Sequence, residues 1–318
     1  MTDPDSVQAS PEAGGLSAGL YVVATPIGRL SDLGLRACDT LKHVDVVAAE
    51  DTRTTRVLLD HVGARPLLVP SHEHNEARSA QAIVERVRAG QRVALVSDAG
   101  TPGISDPGAR VVAAVHDAGL PVVPVPGPSA VTTLLSVAGF AEPRFRFEGF
   151  LPPKPAARRE RLAQLARSDA VVVIYESPHR IVETVDDLAA ALEPQRAIVV
   201  GRELTKRFEQ VRRTTAGALP GWLAADPDHR RGEFVIAIDA APPAVAAVQD
   251  ADPSLLALCA ELPVRQAARI AARATGLRAN DLYRRALALR GPAGSAHAER
   301  DAERDAERDA DGDPDASG

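Results

Sequence analysis

RVALVSDAGTPGISDPG, residues 92–108, passes from an apolar run, Val93 to Val96, straight into a loop with three glycines, two prolines, two aspartates and one large apolar side chain, Ile104. A strand that ends this way turns abruptly and leaves main-chain N–H groups uncovered, so another molecule can approach the backbone closely. Two further stretches repeat the pattern: TPIGRLSDLG from Thr25 and PGPSA from Pro126. In open parallel sheets, ligands lie beyond the carboxyl ends of strands, so the three loops are expected to converge on one cleft. The last also opens a helical stretch, whose first N–H groups at Ser129 and Ala130 would face an anion or polar ligand.

Working outward, short β-branched runs alternate with amphipathic stretches. Strands are expected at 20–24, 44–48, 66–69, 92–96 and 121–125, with helices near 34–42, 53–61, 76–89 and 107–118. That alternation reads as a largely parallel α/β domain over residues 19–126. A second series, 145–150, 171–175, 197–200, 210–214 and 234–238, reads as a second α/β domain over 127–240. No clear helix joins its last two runs, which implies a mixed sheet. The boundary is placed at PVPGPSA, residues 124–130.

Residues 241–253 read as an Ala/Pro-rich linker and 254–290 as a small basic unit of helix-turn-helix type. In the latter, Pro263 suits a first helical turn, Ala267, Ile270, Ala271 and Ala274 share a face, and Gly276 suits a helix end. Asn280 is expected to cap a second helix carrying Leu282, Ala286 and Leu289. Seven arginines against the single acid Asp281 between Pro263 and Arg290 favour contact with a nucleic acid.

The net charge of −6 is misleading about this body. Residues 1–18 carry three uncompensated acids, and residues 297–318, with AERD repeated three times, carry nine acids against three arginines. Both ends read as disordered tails, 1–18 and 291–318, and without them the chain is mildly basic. Cys38 and Cys259 are too few and too far apart for a disulfide framework or a Cys-ligated metal. His72 and His74 in SHEHNE lack an evident third ligand, so no metal is expected. With no apolar stretch near the ~20 residues of a membrane span and no signal peptide, a cytoplasmic protein without membrane contact is expected.

Neither GxGxxG nor GxxxxGK[ST] occurs, which argues against a nicotinamide or a nucleoside triphosphate in the cleft. Nine ordered stretches, ATPIGRLSDLGLRA, AAEDTRTTRVLLDH, HEHNEARS, ALVSDAGTPGISDPG, VPVPGPSA, FEGFLPPK, YESPHRI, GRELTKRFE and RGEFVI, resemble the ribosomal RNA small subunit methyltransferase I family of the tetrapyrrole methylase superfamily. The similarity covers about residues 19–240, and the basic helical unit is similar to that family's C-terminal appendage. The resemblance implies two α/β domains of the class III methyltransferase type around a cofactor cleft, usually in a homodimer. The implied activity is S-adenosylmethionine-dependent methylation of the ribose 2′-hydroxyl of a cytidine in the decoding region of 16S rRNA, on the small ribosomal subunit. Two rivals share the cleft: methylation of a small tetrapyrrole, and a non-catalytic, metabolite-sensing regulator that binds nucleic acid.

By matching positions, the resemblance assigns the cofactor to Pro26 of the first loop and to Asp98, Gly100, Thr101 and Ile104 of the second. It adds Ser129 and Ala130 of the third loop, with Tyr175 and Leu204 from the second series. A ribose hydroxyl is a weak acid, so the proton must leave as the oxygen bonds to carbon. Glu50 or Asp51, at the end of a buried strand, is the expected acceptor. Arg53 and Lys206 are expected on RNA phosphates, with Glu176 or Glu203 orienting them. Lys154, Arg158 and Arg159 in LPPKPAARRERLAQ, with Arg265, Arg269 and Arg284 of the basic unit, are the expected RNA contacts. Aromatic residues make up 3% of the chain, which argues against extensive base stacking.

Overall fold

The computed structural model describes residues 16–242 and 251–290. The tail after Arg290, most of the N-terminal tail and most of the expected linker lie outside the described residues. Residues up to Asp239 form one compact unit and those from Ala240 a second.

The first unit begins with five strands, β1 (Gly19–Val23), β2 (Val46–Ala49), β3 (Leu67–Pro70), β4 (Arg92–Val96) and β5 (Val122–Val125). They form one all-parallel sheet in the order β3-β2-β4-β1-β5. Parallel strands need crossovers, supplied by α1 (Leu35–His43), α2 (Thr52–Val62), α3 (Glu76–Arg88) and α4 (Ala109–Asp117). Alternate side chains of one strand feed two cores. Tyr21, Val23, Val47 and Ala49 pack with Leu41 and Leu59 of α1 and α2, while Leu20, Val46 and Ala48 pack with Ile83 and Val115 of α3 and α4. Burial on both faces explains why these strands read as unbroken apolar runs.

Helix α5 (Ala130–Ala138) leads into the second sheet, built from β6 (Phe145–Phe150), β7 (Val171–Glu176), β8 (Ala197–Arg202), β9 (Gln210–Thr215) and β10 (Phe234–Ile238). Its order is β6-β7-β10-β8-β9. The β6/β7 pair is parallel and the other three pairs are antiparallel, so the sheet is mixed as expected. A short helix, α8 (Leu219–Ala225), does join β9 to β10, where the sequence gives no clear helical signal. Its Leu219 and Leu223 enter the core beneath α6 (Pro155–Leu165) and α7 (Ile181–Ala191). On the other face, Val131, Leu134 and Ala138 of α5 pack on Val173, Val199 and Val235.

The second unit corrects the sequence reading in three respects. It holds three helices, α9 (Asp252–Glu261), α10 (Val264–Thr275) and α11 (Ala279–Arg290), where two were expected. Its buried face on α10 is Val264, Ala267, Ala268 and Ala271, because α9 and α11 together cover that side, while Ile270 and Ala274 face outward. Asn280 lies inside α11 and is not its cap.

Candidate functional site

The carboxyl ends of β1, β2, β4 and β5 open onto a cavity of about 430 Å³, within the range of small-molecule sites. Each loop is held by main-chain bonds that follow from its composition. Thr25 and Gly100 exchange N–H···O bonds of 2.8 and 3.1 Å, tying the first loop to the second. The Thr101 hydroxyl donates to Pro128 O at 3.2 Å, tying the second to the third. The far wall comes from the second sheet, through Phe150, Tyr175, Gly201 and the segment from Glu233 to Val235. At Gly28 a Cβ would come within 2.7 Å of the Thr205 and Lys206 side chains, so only glycine allows the first loop to reach that wall. Arg29 Nε then donates to Thr205 O at 3.1 Å.

Among the described residues, three other than glycine have positive φ: Ser105 (69°), Glu203 (51°) and Thr205 (62°). Ser105 lines the cavity, and the other two flank Leu204, which lines it too. Strained backbone of this kind collects where surrounding structure holds a site in shape.

Most of the expected cofactor residues meet here. Asp98, Gly100, Thr101 and Ile104 line the cavity, as do Ser129 and Ala130 at the start of α5, and Tyr175 and Leu204 on the far wall. Pro26 does not. It is buried beneath the loop, and its neighbour Ile27 lines the cavity instead.

The expected catalytic set divides. Glu50 and Lys206 line the cavity; Asp51 and Arg53 do not. Asp51 caps α2, its Oδ1 accepting from the Arg53 N–H at 2.8 Å, and pairs with the Arg53 guanidinium at 2.6 Å. Those bonds hold the Asp51 carboxyl down at about 2, so it is a poor proton acceptor. The Arg53 side chain is 90% exposed. Lys206 bonds Glu203 at 3.1 Å and Glu233 at 2.9 Å. Burial works against its charge, and the two carboxylates outweigh that and raise its pKa. Glu203 also accepts from the Glu233 N–H at 2.9 Å, so it positions Lys206. Glu176 is occupied differently, accepting from the Thr184 hydroxyl at 2.6 Å and the Ser177 N–H at 2.8 Å, with Arg180 at 3.4 Å. It lines the cavity and, through these bonds, braces the start of α7.

Glu50, Asp98 and Asp106 form an acidic group on the β2 and β4 side of the cavity. The Asp98 N–H donates to Glu50 Oε2 at 3.3 Å, and the Asp51 N–H to Asp98 Oδ1 at 3.0 Å. Burial raises all three carboxyls, and nearby carboxylates add to it: Asp98 and Asp51 at Glu50, Asp51 at Asp98, and Glu50 and Asp98 at Asp106. Asp106 is pushed up to about 6. Asp106 was not among the expected site residues, and its only signal in the sequence is that it is a second aspartate in the loop after β4. Glu233, Phe150 and Gly201 were also missed, and their place in the cavity depends on the second sheet.

Of the expected RNA contacts, Lys154 and Arg159 are exposed beside the start of α6, and Arg265 and Arg269 are exposed on α10. Arg284 is exposed as well, paired with Asp281 at 2.6 Å. Arg158 is the correction. It is 2% exposed, with Nε on Asp187 at 2.7 Å and a second nitrogen on Glu183 at 3.1 Å. Its guanidinium fastens α6 to α7 and is not presented to a partner. Near β3, the His72 N–H donates to Asn75 Oδ1 at 2.8 Å, and among the described residues no cluster of three or more metal-ligating side chains occurs.

Two sheets meeting over an acidic cleft walled by glycine- and proline-rich strand ends define a class of protein. The family profile described as Tetrapyrrole (Corrin/Porphyrin) Methylases matches residues 19–220. The crystal structure of the methyltransferase CobJ shares the fold, with a TM-score of 0.53 and 19% identity over 72% of this chain and 95% of that one. So does the cobalt precorrin-4 methyltransferase CbiF, at 0.52 and 18% over 69% and 94%. Within that class the chain belongs to the ribosomal RNA small subunit methyltransferase I family. It is 42% identical to the member from Haemophilus influenzae over 86% of this chain and 98% of the relative. To the Xylella fastidiosa member it is 48% identical over 83% and 97%, and to the Pseudomonas aeruginosa member 44% over 87% and 99%. The profile described as RsmI C-terminal HTH domain matches residues 245–290.

Proposed function

We propose that the protein methylates the ribose 2′-hydroxyl of a cytidine in the decoding region of 16S rRNA, using S-adenosylmethionine, on the small ribosomal subunit. The observation that carries this reading is membership of the family over more than four fifths of the chain, together with the chemistry of its cleft. In the same reading the enzyme works in the cytoplasm as a homodimer. No helix among the described residues is long and apolar enough to cross a membrane.

The residues present fit the cofactor. Glu50, Asp98, Asp106 and Glu233, with Glu176 already paired to Arg180, against the single Lys206 give the cavity a negative balance suited to a cationic donor, while Ile27, Ile104, Leu204 and Val235 supply apolar surface that excludes water. Main-chain groups of the three loops and the start of α5 suit its polar ends. When bound, S-adenosylmethionine supplies an electrophilic methyl carbon on a sulfonium.

The chain's part is to hold the ribose oxygen in line and accept its proton. Orientation of this kind contributes ~7–11 kcal/mol in favourable cases. Glu50 would take the hydroxyl proton as the ribose oxygen bonds to the methyl carbon, the sulfur being the leaving group. Burial raises the basicity of that carboxylate. Lys206, fixed by Glu203 and Glu233, offers its ammonium to a flanking phosphate. The exposed Lys154 and Arg159, and Arg265 and Arg269 of the second unit, track the RNA backbone.

Incubation with methyl-labelled S-adenosylmethionine and unmodified small subunits tests the reading. Label on a cytidine 2′-oxygen is expected. Label on a base or on a tetrapyrrole, or no transfer at all, overturns it.

A further inference from the structure

The chain has six phenylalanines, three tyrosines and one tryptophan, and three of these ten rings gather at one edge of the cavity. Phe147 and Phe150 of β6 both lie edge-on to Tyr175 of β7, with centroids 4.9 and 5.8 Å away. Phe150 lines the cavity and is 54% exposed. Phe145 and Phe208 are comparably exposed, at 51% and 62%, but neither lines the cavity, so it is the place of Phe150 in the lining that makes its open ring a contact surface for a ligand.

Its placement depends on a local irregularity in β6. Side chains alternate between faces along a strand, so Phe147 and Phe150, three residues apart, would normally point opposite ways. A bulge intervenes: Phe147 pairs with Val173, Gly149 with Ile174 and Phe150 with Tyr175, leaving Glu148 as the extra residue. Gly149 takes the positive φ of 66° that the bend requires. The Glu148 carboxylate is secured by Arg161 at 2.6 Å and by Arg146. The shift brings Phe150 onto the face of Phe147 and Tyr175, re-aiming a side chain as bulges beside active sites do. The following turn is pinned as well, since Arg180 donates to Leu151 O at 2.8 Å and Pro152 O at 3.3 Å. The ring is thus set before any ligand arrives, and exposed Lys154 follows four residues later.

We infer that Phe150 is the stacking platform for the nucleobase of the target nucleotide, a binding residue for the RNA. This rests on the proposed function. A ribose hydroxyl can enter a concave cavity only if its nucleotide leaves the RNA stack, and an unstacked base is then held best by an aromatic face. Phe150 offers such a face at the rim, with a cation for the neighbouring phosphate a few residues on. One ring suffices for one base, which agrees with the low aromatic content of the chain.

The test measures kcat and KM for small subunits at saturating S-adenosylmethionine, and cofactor affinity by calorimetry, for wild type, Phe150→Ala, Phe150→Leu and Phe150→Trp. Loss of one base–aromatic stack is worth ~1–3 kcal/mol, so kcat/KM for the subunit should fall about 5- to 150-fold in the Ala variant. The fall should be carried mainly by KM, with cofactor affinity within about twofold. Trp should restore most of the loss, and Leu, which keeps apolar bulk without a π face, should not. Leu serves as the informative variant if Ala fails to fold. Unchanged kcat/KM, full rescue by Leu, or a parallel loss of cofactor affinity overturns the inference. Wild type that labels no subunit defeats the proposed function itself, a result separate from any change at Phe150.

Discussion

Strand β2 has an aspartate at one end and a glutamate at the other, and the two carboxylates live in opposite conditions. At the amino end, Asp45 accepts from Arg92 through the backbone N–H at 2.8 Å, Nε at 3.0 Å and a terminal nitrogen at 2.6 Å. Those bonds hold its carboxyl down at about 2. At the carboxyl end, Glu50 meets Asp98 and Asp106 with no comparable cation, and burial with repulsion pushes all three up. One end of the sheet relieves its charge and the other stores it. The stored charge is where a cationic donor and a departing proton would find use, so the sheet separates stability from chemistry along a single strand.

The largest effect should come from removing the basic oxygen while leaving the geometry alone. Glu50→Gln keeps an acceptor for the Asp98 N–H, yet turnover should fall by a factor of about 10²–10⁴, the usual contribution of a positioned general base. Calorimetric affinity for S-adenosylmethionine, which loses one of the several negative charges around the cavity, should fall far less than turnover. Asp51→Asn keeps a good helix cap and loses only an exposed ion pair, so its turnover should stay within a few fold of wild type. A reversal of the two results would move proton removal from Glu50 to Asp51.

The opposite end of the strand is probed by Asp45→Asn. Because the folded pKa lies below the ordinary value of 3.8, the pair contributes stability above about pH 4 that is lost as pH falls through about 2. Both side chains are about one third exposed, at 34% and 31%, and solvent screening limits the effect to ~1 kcal/mol. Urea denaturation should show the variant weaker at pH 7, with the gap closing as pH falls through about 2, and turnover unaffected. Equal stability at pH 7 would mean the Asp45–Arg92 pair does not offset its own desolvation.

How far the sequence carried this comparison depends on how local each feature is. Both sheets were legible because doubly covered strands appear as apolar runs, and the three loops because glycine and proline mark strand ends. The crowding of Glu50 with Asp98 and Asp106 was not, since strand order alone makes β2 and β4 neighbours. Charge was a poor guide for Arg158: its helix looks solvated until α7 brings Asp187 and Glu183 against it. In the second unit, α10 is so rich in alanine that several faces look equally apolar, and α9 and α11 together decide which one is buried. The turn of Phe150 required a bulge, and nothing in FEGF by itself sets the register that produces one.

The last effect is at Asp106, and its sign is the most informative. Its pKa is raised to about 6, so ionisation opposes folding: stability is complete below about pH 4 and declines as pH rises through 6. Asp106→Asn, which keeps a polar partner for Ser97, should therefore match wild type near pH 4 and melt at a higher temperature at pH 8. The same change removes negative charge from the cavity and should weaken S-adenosylmethionine binding at pH 8. A variant more stable yet poorer at holding its ligand is the signature of charge kept for function at the expense of stability. If Asp106→Asn were instead less stable at pH 8, the Asp106 charge would be satisfied within the fold, and the contrast between the two ends of the sheet would narrow to Glu50 and Asp98.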